Sequence, residues 1–105
     1  GFAISPDGMR AQIESGIIYG LSAAIHGEIT IRNGAVVQSN FHDYPSVRMS
    51  EAPLIETHII NSGEPMGGAG EPGTPPIASA LTNAIYNATG ERIRQLPIKN
   101  AGFNV

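Results

Sequence analysis

Residues 5–27, Ser-Pro-Asp-Gly-Met-Arg-Ala-Gln-Ile-Glu-Ser-Gly-Ile-Ile-Tyr-Gly-Leu-Ser-Ala-Ala-Ile-His-Gly, decide how the rest of the chain can be arranged. Ser5 is a capping residue, and Pro6 stands where a missing N–H is harmless. Gly27 follows His26 as a stop signal. Between them Met9, Ile13, Ile17, Leu21 and Ala24 recur at three- and four-residue steps, which predicts a helix with one apolar face. Gly16, Gly20 and Ala24 recur at steps of four on the same stretch. A glycine inside a helix costs roughly 1 kcal/mol relative to alanine. Two of them therefore predict that another backbone approaches this helix closely.

Working outward, Glu28–Arg32 and Ala35–Ser39 flank Asn33-Gly34, the strongest short hairpin signal, because both positions tolerate positive φ. Residues 40–53 read as irregular, punctuated by Pro45 and Pro53, and Leu54–Ile60 reads as a further strand. Residues 61–73 form a glycine-rich loop. Thr74 is placed to cap a second helix that starts on Pro75 and Pro76 and ends at Gly90, with Ile77, Leu81, Ala84, Ile85 and Ala88 as its buried stripe. Ile93–Ile98 reads as a last strand, cut short by Pro97. Strands in runs beside two helices, without strict alternation, predict an α+β fold: two main helices packed on a small mixed or antiparallel sheet, in a single domain over 1–105.

The composition narrows the function. Isoleucine, leucine, valine and phenylalanine make up about a quarter of the 105 residues, enough for one core. Only 14% are charged, where about 25% is usual, so part of the surface is expected to be covered by something else. A net charge of −3 with no basic cluster argues against a nucleic-acid partner. The absence of cysteine removes disulfides, thiolate nucleophiles and cysteine-held metal clusters. The longest apolar run, Ile17–Ile25, is too short to span a bilayer.

Gly67-Gly68-Ala69-Gly70-Glu71-Pro72-Gly73-Thr74-Pro75-Pro76 is the most informative loop. Gly68–Gly73 satisfies G-x-G-x-x-G, but six residues separate the loop from the strand ending at Ile60, and Pro72 removes an N–H that a pyrophosphate would need. No Lys precedes Thr74, which excludes a P-loop. What the loop offers is the carboxylate of Glu71, close to a helix start and flanked by glycines that let a ligand approach. It is either a candidate general base or a solvated loop glutamate. His26, His42 and His58 match no metal-ligand spacing, and structural or surface roles fit them better. Asp43 suits an Asx turn, and Arg48 with Glu51 suits a surface or domain-interface charge.

The stretch GAGEPGTPPIASALTNAIYNATGERIRQLP resembles the C-terminal signature of the molybdopterin-binding large subunit of molybdenum hydroxylases, the xanthine dehydrogenase and aldehyde oxidoreductase family. The Gly-Glu-Pro-Gly-Thr-Pro-Pro form is most similar to the bacterial aldehyde dehydrogenase and isoquinoline 1-oxidoreductase branch. PDGMRAQIESGIIYGLSAAI and SNFHDYPSVRMSEAPLIETHII resemble upstream family segments in the same order, so the likeness covers nearly the whole chain. It implies a cofactor-binding, catalytic-base segment of an enzyme that oxidises aldehydes or N-heteroaromatics with water-derived oxygen. Glu71 falls on the family's catalytic glutamate and Gln12 on its cofactor-contacting glutamine, while Gly70 would let the molybdenum cofactor approach. Ser15 stands where relatives commonly carry glycine. The resemblance implies that no residue here ligates the metal, which the pterin dithiolene holds. It further implies that the remainder of the subunit completes the site, that an iron–sulfur domain or subunit takes the electrons, and that relatives occur in cytoplasm and periplasm. The isolated segment is then expected to be inactive. The alternative is a free-standing small-ligand-binding or oligomerisation module in which Glu71 is inert.

Overall fold

The computed structural model describes residues 1–103. Helix α1 spans Pro6–His26, and the Ser5 hydroxyl caps it by accepting from the Gly8 N–H. At its other end Gly27 is extended, with φ −63° and ψ 106°, and the Lys99 ammonium donates to the His26 carbonyl at 3.1 Å. A cation on the last carbonyls is favoured by the helix dipole. Strands β1 (Ile31–Arg32) and β2 (Ala35–Val36) pair antiparallel, Ile31 opposite Val36. Asn33 and Gly34 turn between them with φ of 51° and 78°, the left-handed values that the Asn-Gly pair predicts.

Helix α2 spans Ile77–Thr89 and closes on Gly90 in the left-handed region at φ 77°. A 3-10 turn, Ile98–Ala101, follows a cis Leu96–Pro97 bond. The α+β class therefore holds, with two helices and a small antiparallel sheet. The helices pack on each other, and the 3-10 turn packs on α1.

Three expectations are corrected. Thr74 does not cap α2: the helix begins at Ile77, Pro76 occupies the cap position with no side-chain cap, and Thr74, two residues earlier, donates its hydroxyl to the Gly16 carbonyl of α1. Leu54–Ile60 and Ile93–Ile98 form no strand among the described residues, and the second is interrupted by the cis proline and the 3-10 turn. The expected stripe of α2 is only partly covered, with Ile77, Leu81 and Ile85 half-buried and Ala84 and Ala88 exposed.

The core is small: Leu21, Ala24 and Ile25 of α1 close over Ile98, which is wholly buried. Many large apolar side chains remain outside it, including Ile4, Tyr19, Phe41, Met49, Leu54 and Ile60. The accessible surface is 7688 Å², whereas a compact monomer of this mass exposes roughly 5,600 Å². The radius of gyration is 16.5 Å against about 13 Å for a compact chain of this length. About 2,000 Å² of surface is thus in excess, in line with the scarcity of charge. Three of the four buried apolar side chains that form this core, Leu21, Ala24 and Ile25, come from α1, the helix that positions the site.

Candidate functional site

The glycine-rich loop runs alongside α1 and is fastened to it at three points. At the first, the Gln12 amide donates to the Gly70 carbonyl at 3.1 Å. At the second, Gly73 lies so close that a Cβ there would sit 2.7 Å from the Ile13 carbonyl oxygen and 3.2 Å from the Ile17 nitrogen. No side chain fits in that space without moving backbone, which explains a glycine at this position. At the third, the Thr74 hydroxyl donates to the Gly16 carbonyl at 3.0 Å. One turn on, a Cβ at Gly20 would stand 2.8 Å from the Thr74 carbonyl oxygen and would collide with Ile77. The close approach expected from the helix glycines is therefore made by the loop and the start of α2.

Glu71 opens a tight turn within this fastened segment. Pro72 and Gly73 follow it, and the Thr74 N–H closes back onto the Glu71 carbonyl at 2.9 Å. Proline presets φ at the second position of such a turn. Because the main chain is pinned on both sides of Glu71, its carboxylate is carried at a defined place although it is exposed. Gln12, Gly70 and Glu71 line one open cleft of about 330 Å³, with Ser15, Gly16, Tyr19, Thr74 and Pro75. That is the lower end of the size of small-molecule sites. From Gln12 to Tyr19 the cleft follows about 10 Å of α1, two helical turns.

Sequence reasoning missed Tyr19 and Thr74 as cleft residues. Tyr19 was legible as the position seven residues after Gln12, hence on the same helix face, and Thr74 was hidden by the competing cap reading. The three histidines are not brought together. His26 pairs with Glu51 at 3.6 Å, His42 with Asp43 at 3.6 Å and His58 with Glu56 at 3.8 Å. No group of three metal-ligating side chains exists among the described residues. Arg48 takes its part through the main chain, its N–H donating to Glu51 at 2.7 Å. Asp43 is a turn anchor, accepting from the Ser39 and Asn40 N–H groups and from the Ser39 hydroxyl. Those main-chain donors hold its carboxyl down at about 2.

Gly70 leaves space on the cleft: a Cβ built there meets nothing within 4 Å. The Gln12 oxygen and its second N–H have no partner among the described residues, so an acceptor and a donor remain side by side. A planar ligand with a hydrogen-bonding edge fits these features.

Over 101 residues the chain is 40% identical to the isoquinoline 1-oxidoreductase subunit beta of Brevundimonas diminuta, covering 96% of this chain and 13% of that protein. It is 37% identical over 101 residues to the membrane-bound, pyrroloquinoline-quinone aldehyde dehydrogenase of Gluconacetobacter polyoxogenes, with the same coverage. It is 30% identical over 105 residues to a putative xanthine dehydrogenase molybdenum-binding subunit of Escherichia coli K12, covering 93% of this chain and 14% of that protein. Over nearly its whole length the chain is thus similar to one segment of the large, molybdenum-binding subunits of molybdenum hydroxylases. It spans about an eighth of the length of these relatives, 13% to 14%. No family model and no solved structure matches it. Among the described residues no helix is long and apolar enough to cross a membrane.

Proposed function

We propose that this chain is the cofactor-contacting, base-bearing segment of a molybdenum hydroxylase large subunit that oxidises aldehydes or N-heteroaromatics with oxygen from water. In this reading residues 1–105 are one piece of the molybdopterin-binding domain. The observation that carries the reading is that Gln12, 58 residues before Gly70, shares one cleft with Gly70 and Glu71, and that the loop wall of this cleft is pinned to α1.

The molybdenum cofactor, when bound, supplies a two-electron acceptor and raises the acidity of water. Gln12 offers the pterin edge its free oxygen and second N–H. Gly70, without a side chain, lets that group lie against the main chain. Glu71, acceptor-only when ionised, would take the proton of the attacking water, its carboxylate carried on the pinned turn. Electrons leave to an iron–sulfur domain or subunit. The remaining walls come from the rest of the large subunit, so the 105 residues alone turn nothing over.

The test is the native gene product, isolated from its source cells with an antibody to this domain. A protein several times heavier than 11.0 kDa that carries stoichiometric molybdenum is expected. A product of 11 kDa would overturn the reading in favour of a free-standing binding or oligomerisation module.

A further inference from the structure

Leu54–Ile60 carries no secondary structure, yet its exposure alternates without a break. Ile55, Thr57 and Ile59 are half-buried, and Leu54, Glu56, His58 and Ile60 are exposed. A period of two over seven residues is the signature of a strand. Leu54 and Ile60 stand almost wholly in solvent, at 93% and 83%. Between them Glu56 and His58 pair on the same face at 3.8 Å. Among the described residues no main-chain group from 53 to 61 makes a hydrogen bond, and the first bond beyond is from the Ser62 N–H to the Gly1 carbonyl. The Thr57 hydroxyl oxygen is buried with no partner. Burial of an unpaired hydroxyl is costly, and main-chain groups in native proteins are nearly always paired.

We infer that residues 54–60 are a strand whose pairing partner is another β-strand of the same polypeptide, outside these 105 residues. This rests on the reading of the chain as a segment of a larger subunit. The relatives are about eight times as long as the stretch matched, which leaves ample chain to supply a strand. The excess surface of about 2,000 Å² is the scale of a permanent interface rather than a transient one. An ordered, two-residue period with an unpaired main chain is what a strand edge presents to an added strand. The pairing closes the main-chain groups of 54–60 and covers Leu54 and Ile60. It also fixes the segment that leads into the Glu71 loop, so the incoming strand buttresses the site from outside the chain.

Residue-resolved hydrogen exchange on the intact gene product tests this. The 54–60 amides are expected to exchange at least a hundredfold more slowly than those of Gly67 and Gly68, at every protein concentration. Exchange as fast as at Gly67 and Gly68 would overturn the strand pairing. Protection that rises with protein concentration would also overturn it, by assigning the edge to a second copy. Both failures leave the subunit reading intact, because that reading stands or falls on the mass and molybdenum content of the same preparation.

Discussion

Replacing Gly73 by alanine in the intact enzyme probes how the loop is held. The new Cβ would lie 2.7 Å from the Ile13 carbonyl oxygen, 3.2 Å from the Ile17 nitrogen and 3.3 Å from the Ile17 side chain. Only the last can move cheaply, since the first two belong to the backbone of α1. Overpacking of this kind costs about 1–3 kcal/mol. Reduced freedom of the unfolded chain returns about 0.4–1 kcal/mol, leaving a net loss of about 1–2 kcal/mol. The loop relieves the contact by lifting from α1, which carries Glu71 with it two residues away. A displacement near 1 Å at a catalytic group is worth up to about 100-fold in rate. Anaerobic reduction by substrate, followed in a stopped-flow instrument, should therefore slow about 10- to 100-fold in Gly73→Ala at unchanged molybdenum content. Gly68→Ala, where nothing lies within 4 Å, is the control and should leave the rate unchanged. A Gly73→Ala enzyme with wild-type rate and wild-type melting would refute the argument that close packing on α1 positions Glu71.

Gln12→Ala removes one hydrogen bond to Gly70 and the proposed contact to the cofactor. Each lost hydrogen bond is worth roughly 2- to 10-fold in affinity, so molybdenum retained after dialysis should fall while the helix content stays constant. Asp43 has its carboxyl held at about 2, below its ordinary 3.8, by the Asn40 and Ser39 main-chain donors. Its contribution is therefore complete above about pH 4 and is lost as the pH falls through about 2. Exchange of the Ser39 and Asn40 amides should accelerate across that window, and Asp43→Asn should abolish the acid dependence.

Much of this was legible because it is local. Ser5 and Pro6 start α1, Asn33-Gly34 makes the hairpin turn, and Gly90 ends α2, each through the φ preference or hydrogen bonding of one or two residues. The spacing of Gly16 and Gly20 foretold a close backbone approach, though not which segment approaches. The failures are all tertiary. Thr74 packs against α1, where its hydroxyl donates to the Gly16 carbonyl, and α2 starts only after Pro76, two residues beyond it. Strands at 54–60 and 93–98 need partners that sequence patterns cannot guarantee. The α2 stripe has the right period, but Ala84 and Ala88 find no facing layer among the described residues.

The site followed the same division. Glu71 stood out through its glycine-rich setting, and the family resemblance added Gln12 and Gly70. That the three line one cleft depends on the Gln12–Gly70 bond and the Gly73 contact, both across 56 to 60 residues of chain, and no local pattern encodes them. The low charge predicts that part of the surface is covered by something else, and the exposed large apolar side chains, Phe41, Met49 and Leu54 among them, mark where such a cover would lie.

The most direct test of the central claim is Glu71→Gln in the intact enzyme, which keeps the size of the side chain and removes its basicity. Substrate-dependent reduction of the molybdenum centre, measured in single turnover with metal content matched to wild type, should fall by about 10²–10⁴-fold. Reduction at near wild-type rate would show that Glu71 is not the base.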